Sequence, residues 1–355
     1  MDHLNLKMNI EFSETNVNKL TFLEFMPVSL FGAVMGLSGL CFAWRLASQV
    51  WHTNRLIAET IGWAAILAFT LLTISYTVKW VRYRALVEGE FGNSLSVGFF
   101  STVTISLLLI PGVLLPYAPV IANVIWLLGV ALTLLFAWFV LRKWIDKQQA
   151  PEGAMPVWVL PVVGTLNVPI VGNSLKFAGA HETCLMFFGI GIIFIIIMMT
   201  IIISRLFFQP PLPLAVQPSL LILVAPFALA FHSYEGLSGA QDIPASAFFY
   251  FFLFLLLLFG SKIALLPKCC PFQVSWWSVS FPLATVSGAC LRYAQRQSDM
   301  IHWILAALLL SITTLVIIYL VVQTVYQIWS GRFAQPINFQ AVRPGTDQEP
   351  KSKSI

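Results

Sequence analysis

The residues able to do chemistry are few and lie apart. His232 and Glu235 stand three residues apart at the end of an apolar run, where helical spacing would let them pair or pass a proton. The alternative for both is an interfacial position facing water. Glu59 and Glu182 fall near the starts of apolar runs, where a carboxylate complements the helix dipole. No nucleophile, base and orienting group share a recognisable spacing, so no enzyme activity, cofactor or metal site is expected. No phosphate-binding loop is present, which argues against an ATP-driven pump. The cysteines Cys41, Cys184, Cys269, Cys270 and Cys290 are scattered, and the adjacent pair lacks partners at metal-ligand spacing, so reduced thiols are expected. The most distinctive chemistry lies in Val274-Ser-Trp-Trp-Ser-Val-Ser-Phe-Pro-Leu-Ala-Thr285. This stretch reads as an apolar helix with Pro282 in its middle and the aromatic Phe281 just before it. Proline removes the N–H partner of the carbonyl four residues back, here Ser278, and bends the axis. Within a membrane such a break persists only beside protein or a water-filled cavity. The chemistry it points to is ion passage, with this stretch as a pore wall and Phe281 as a plug.

Composition supplies the membrane. Of the 355 residues 58% are hydrophobic and only 10% charged, against about a quarter charged in soluble domains. Mean hydropathy is +0.84. Runs such as residues 187–203 are apolar without alternating, which excludes an outer-membrane barrel reading. The N-terminal residues are polar and carry Glu11, Glu14 and Glu24, unlike a cleaved signal peptide. The net charge of +5 is a matter of loop lysines and arginines rather than of nucleic-acid binding.

Ten spans are expected, at residues 26–48, 56–79, 95–116, 119–141, 156–175, 182–206, 217–235, 244–266, 274–294 and 301–329. With the N-terminus in the cytoplasm, fifteen Lys and Arg fall inside and five outside, the bias that sets orientation. Both termini are therefore expected in the cytoplasm. The chain divides into a polar N-terminus (1–25), a membrane domain (26–330) and a disordered tail (331–355).

Prolines mark an internal repeat. Pro27, Pro111, Pro161 and Pro169, Pro226 and Pro282 lie in the odd spans, whereas Pro119 and Pro244 only open even ones. Odd spans also carry small or polar stripes at helical spacing: Ser29, Gly32, Gly36 and Gly39; Pro161, Thr165, Val168 and Gly172; Ser278, Phe281, Thr285, Gly288 and Arg292. Each stripe alone fits tight helix packing as well as a pore. Together they predict an all-α polytopic membrane protein, built as five helical hairpins with kinked odd helices around an axis. The predicted pore-lining residues are Gly32, Gly36, Pro111, Pro161, Thr165, Pro226, Ser278, Pro282 and Thr285, with Phe281 as the gate.

These residues resemble a known family. Met26-Pro-Val-Ser-Leu-Phe-Gly-Ala-Val-Met-Gly-Leu-Ser-Gly-Leu40 is similar to the first helix of the tellurite-resistance/dicarboxylate transporter family, and Cys270-Pro-Phe-Gln-Val-Ser-Trp-Trp-Ser-Val-Ser-Phe-Pro-Leu-Ala284 resembles its ninth helix more closely still. Leu223-Val-Ala-Pro-Phe227 and Val159-Leu-Pro-Val-Val-Gly164 resemble the seventh and fifth. The third span departs from the pattern: the family's His-Pro pair is replaced near Asn93-Ser94. The resemblance implies ten helices as a pseudo-fivefold barrel, a pore in each subunit of a homotrimer, a gate at Phe281 and a sensitive glycine at Gly32. It also implies a multi-pass protein of the bacterial inner membrane.

No Asp, Glu, Lys or Arg falls mid-span. A neutral pore holds no anion tightly, and passage depends on desolvation and pore width. The leading expectation is thus a channel for small monovalent anions such as chloride and nitrate. A carrier or efflux permease for C4-dicarboxylate, sulfite or tellurite oxyanions is the alternative, and a non-conducting scaffold barrel the third reading. Membrane lipid and inorganic anions are the expected partners, with no role for nucleic acid.

Overall fold

The computed structural model describes residues 22–93, 96–264 and 272–330. The segments 1–21 and 331–355, with Ser94, Lys268, Cys269 and Cys270, lie outside the described residues. In chain order the helices are α1 (Val28–Val50), α2 (Arg55–Arg82), the short α3 (Arg84–Gly92), α4 (Val97–Leu114), α5 (Pro119–Asp146), α6 (Pro156–Gly172), α7 (Ala180–Phe208), α8 (Leu214–Ser238), α9 (Ile243–Ile263), α10 (residues 274–297) and α11 (Met300–Trp329). Among the described residues every regular element is helical. Eight of these helices are long and apolar enough to cross a bilayer; α6 is shorter, and α10 carries Arg292 and Arg296 in its second half.

Burial divides the helices into two sets. α1, α4 and α8 are 72%, 67% and 72% buried over their apolar windows, whereas α2, α5, α7, α9 and α11 lie between 22% and 33%. α6, and α10 from Trp276 to Leu291, are buried almost throughout. The inner segments touch in a closed cycle, α1 to α4 to α6 to α8 to α10 and back to α1. Each also packs on the outer helix that follows it. The outer helices present bulky apolar side chains such as Phe254, Leu257 and Ile196 outward, which suits contact with lipid rather than water.

The two sets differ in backbone as well. Outer helices are unbroken α, three of them opened by Asx caps: Asn54 on α2, Asp242 on α9 and Asp299 on α11. Inner segments begin as 3-10 turns and change to α: at Phe31 in α1, Ser101 in α4, Ala225 in α8 and Ser280 in α10. α6 alternates, with a 3-10 turn at Gly164–Leu166 between two short α stretches.

This corrects the expectation of a mid-helix kink at Pro282. Pro161, Pro226 and Pro282 each fall within the first three residues of an α portion. There an N–H has no intrahelical acceptor four residues back, so its absence costs little. Pro111 alone lies deep in an α-helix. The carbonyl it frees, Leu107, is approached by Gly129 of α5, where a Cβ would stand 3.1 Å from the oxygen. The missing side chain lets the two backbones close on each other.

Candidate functional site

Two cavities lie end to end along the axis of the inner set. The first, about 40 Å³, sits at the end where the inner helices begin. All five inner segments wall it, through Ser29, Gly32, Thr102, Asn167, Pro226 and Ser278 among others. The second, about 290 Å³, lies at the opposite end, with Arg45, Gly112, Ser174, His232, Thr285 and Arg292 in its wall. Among the described residues two line both, Phe281 and Leu229. Their side chains therefore stand between the two spaces.

Local sequence explains how Phe281 is held. The ring lies against Gly39 of α1, where a Cβ would stand 3.5 Å from its Cδ2 and 2.9 Å from the Cβ of Ala284. Glycine at this position makes room for the Ala284 methyl, and the aromatic ring lies at ordinary contact distance beside it. The Thr285 hydroxyl donates back to the carbonyls of Phe281 and Pro282, at 3.0 and 2.9 Å. Leu229 comes from α8, one turn beyond Pro226 and one turn before His232.

Among the described residues no charged side chain lines the narrow cavity. Three of its hydroxyls are turned to backbone carbonyls: Thr102 donates to Phe99, Ser278 to Ser275, and Ser275 to Ala215. Asn167 is fully buried, with its Nδ2 on the Gly164 carbonyl at 2.8 Å and its Oδ1 without a partner. Such a space offers partial charges but no fixed cation, so an anion entering it must shed water without strong compensation.

The wide cavity sets Arg45, His232 and Arg292 among apolar residues, and its two arginines are not equivalent. Arg45 is spent on structure. Its Nη1 and Nη2 donate to the Gly112 and Val113 carbonyls, at 2.7 and 3.0 Å, and a forked pair joins it to Glu59, at 2.7 and 3.2 Å. Those carbonyls are the unpaired C-terminal groups of α4, so Arg45 caps that helix and ties α1, α2 and α4 together. Glu59 also accepts from Arg55 and Tyr117. Arg292 is looser, 46% exposed and 3.4 Å from Glu235. His232 faces the Thr285 carbonyl at 3.0 Å. His232 and Glu235 do not pair, and Glu235 is buried rather than water-facing, held by Gln241 and Arg292.

The predicted site residues distribute unevenly over this geometry. Gly32, Pro226, Ser278, Phe281 and Pro282 line the narrow cavity, and Thr285 the wide one. The whole α10 stripe, Ser278 to Arg292, faces one cavity or the other. Gly36, Pro111, Pro161 and Thr165 line neither. Gly36 packs on Ser280, whose Cβ would be 2.6 Å from an added Cβ. Thr165 and Gly172 face outer helices, Thr165 toward Gly191 and Gly172 toward Trp126 and Cys184. The stripe keeps its helical spacing but occupies the face turned toward the outer helices. The inward face of α6 is Leu160, Val163, Gly164 and Asn167 at the narrow cavity, continued by Ile170, Val171 and Ser174 at the wide one, itself a regular helical spacing. Leu229 and Asn167 escaped the sequence reading. The spacing Ile222, Pro226, Leu229, His232 was the available signal, since all four line the cavities.

A sequence model of the SLAC1 family, described as voltage-dependent anion channel, matches residues 26–325, from the start of α1 into α11. The chain belongs to the SLAC1 family. Relatives of this family include the S-type anion channels SLAH2 and SLAH3 of Arabidopsis thaliana, 24% and 23% identical over 308 and 347 residues, or 84% and 96% of this chain. The chain spans 58% and 54% of their lengths. A tellurite resistance protein TehA homolog of Haemophilus influenzae is 22% identical, over 87% of this chain and 92% of its own length. The tellurite-resistance resemblance of the first and ninth spans thus leads to the SLAC1 family, and the SLAC1 match covers all five inner segments of this multi-pass membrane protein.

Proposed function

We propose that this SLAC1-family chain is a channel for small monovalent anions, chloride and nitrate among them, occluded by Phe281 together with Leu229. The observation that carries the reading is the pair of axial cavities whose shared lining, among the described residues, is those two side chains. Family membership and the plant relatives named as anion channels support it. The charge-free narrow cavity favours passage over tight binding, and weakly hydrated anions over strongly hydrated ones. On this reading the ten helical segments all cross the membrane as five hairpins. The wide cavity concentrates anions through Arg292 and, less, through the neutralised Arg45. By the basic-residue bias the narrow cavity opens to the cytoplasm, where both termini lie. A homotrimer with one pore per subunit, in a bacterial inner membrane, is the setting the resemblance supports.

The likeness to a tellurite resistance protein homolog keeps a carrier for oxyanions or C4-dicarboxylates as the competing reading. Flux into liposomes separates the two. Parent and Phe281→Ala proteins are assayed with chloride, nitrate, sulfite and malate, at several concentrations and proton gradients. A channel gives non-saturating, proton-independent flux with nitrate and chloride ahead of malate. Saturable, proton-coupled flux led by malate or sulfite would replace the channel with a carrier.

A further inference from the structure

A third space lies outside the axial pathway and shares no residue with it. It measures about 610 Å³ and sits between the C-terminal ends of two outer helices, α5 and α7, with the 149–154 loop and Trp158 of α6 as its floor. Two hydrogen-bond donors in its wall are buried and without a partner: Nη1 of Arg205 and Nε1 of Trp158. Each residue is 6% exposed. Arg205 donates from its Nε to the Glu152 carbonyl at a long 3.4 Å. Among the described residues no carboxylate stands within ion-pair distance of it. A buried guanidinium and a buried indole N–H left unpaired are both costly, and both call for an acceptor oxygen.

The remainder of the wall is apolar. Trp144 stacks on Trp158, with ring centroids 4.6 Å apart and planes 20° from parallel. Ile197 and Ile201 of α7 continue the surface outward, and Ile145 and Phe208 at the rim are 82% and 80% exposed. The space therefore opens on the lipid-facing side of the bundle, near helix ends, where tryptophan and arginine meet headgroups. An occupant must carry an anionic oxygen at one end and an acyl body at the other. Guanidinium matches phosphate in shape and charge.

We propose that this cavity is a binding site for an anionic phospholipid, its phosphate on Arg205 and Trp158 and one acyl chain along Ile197 and Ile201. The full-length protein, stripped of lipid in detergent, is titrated with phosphatidylglycerol, with diacylglycerol of the same chains and with inorganic phosphate, and binding is read by native mass spectrometry. The expected result is one phosphatidylglycerol per chain, bound at least tenfold more tightly than diacylglycerol and not displaced by millimolar inorganic phosphate. Arg205→Gln removes that preference, Trp158→Phe weakens it severalfold, and Arg205→Lys keeps most of it. The parent titration alone decides the matter should the Gln variant fold poorly. Equal binding of phosphatidylglycerol and diacylglycerol overturns the proposal. So does displacement by inorganic phosphate, which would mark a free-anion site. So does loss of oligomers, without loss of lipid, in Arg205→Gln, which would mark a contact between copies.

Discussion

Removing the ring of Phe281 should open the pathway by an amount the structure bounds. In the closed arrangement the ring rests on Gly39 and shares with Leu229 the division between the two cavities. To let an anion by, the ring must leave that position and expose one face to pore water. A phenylalanine buries roughly 150–250 Å², so one face is about 100 Å², and at ~25 cal/mol per Å² its exposure costs about 2.5 kcal/mol. At about 1.4 kcal/mol per tenfold, the ring-out state holds roughly one molecule in sixty. Phe281→Ala should therefore raise anion current about sixtyfold. Leu229→Ala widens the same point from the α8 side and should raise it less, because the ring remains. The two effects should be non-additive, since either substitution removes part of one barrier. Currents are recorded under voltage clamp in symmetrical nitrate, normalised to protein in the membrane. Current of Phe281→Ala no larger than the parent's would refute the reasoning, and strict additivity with Leu229→Ala would show that the two side chains do not close one point.

Other substitutions test the surrounding architecture. An added Cβ at Gly32 meets Trp277 at an ordinary 3.6 Å, whereas at Gly36 it collides with Ser280; Gly32→Val should fold and reduce the Phe281→Ala current, while Gly36→Val should lower folded yield in size-exclusion profiles. Glu59→Gln strips the partner from the partly exposed Arg45 guanidinium and should cost about 2 kcal/mol, below the full penalty for a buried pair, read as a lower thermal midpoint. Asp299 caps α11 and accepts from the His302 backbone N–H at 2.9 Å, which holds its carboxyl below the usual range. That stabilisation is present at neutral pH and lost as pH falls through the depressed value. Asp299→Asn should therefore flatten the acid limb of a melting-temperature-against-pH curve.

Much of this arrangement was legible in the sequence, because membrane helices must satisfy their backbones internally and so appear as long apolar runs. The alternation of inner and outer helices was legible too, through prolines and small residues on one set and bulky Phe, Ile and Leu on the other. The α10 stripe from Ser278 to Arg292 could be read correctly because Ser280–Gln297 is regular α-helix, and 3.6-residue counting holds along it. In α6 the small-residue stripe at Thr165 and Gly172 lies against the outer helices, and the inward face carries Val163, Gly164 and Asn167, because small residues serve close helix contact as readily as a pore. Small residues were an ambiguous guide. Gly32 opens on a cavity, but Gly36 serves contact between helices, and a glycine in the chain looks the same in both roles. Leu229 went unnoticed because a leucine in an apolar helix carries no mark of its own. Its spacing between Pro226 and His232 was the one signal, and its position opposite Phe281 gives that spacing its meaning.

Chemical modification at position 285 reports whether anions travel along the axis past Phe281. Thr285 lines the wide cavity one turn from the gate. In a Phe281→Ala, Thr285→Cys protein, a membrane-impermeant methanethiosulfonate bearing a sulfonate is added while nitrate current is recorded, with Phe281→Ala alone as the control for native cysteines. The account predicts that modification of Cys at 285 places a fixed negative charge in the pathway and abolishes most of the current, leaving the control unchanged. Full modification, verified by mass, with the current intact would contradict an axial route.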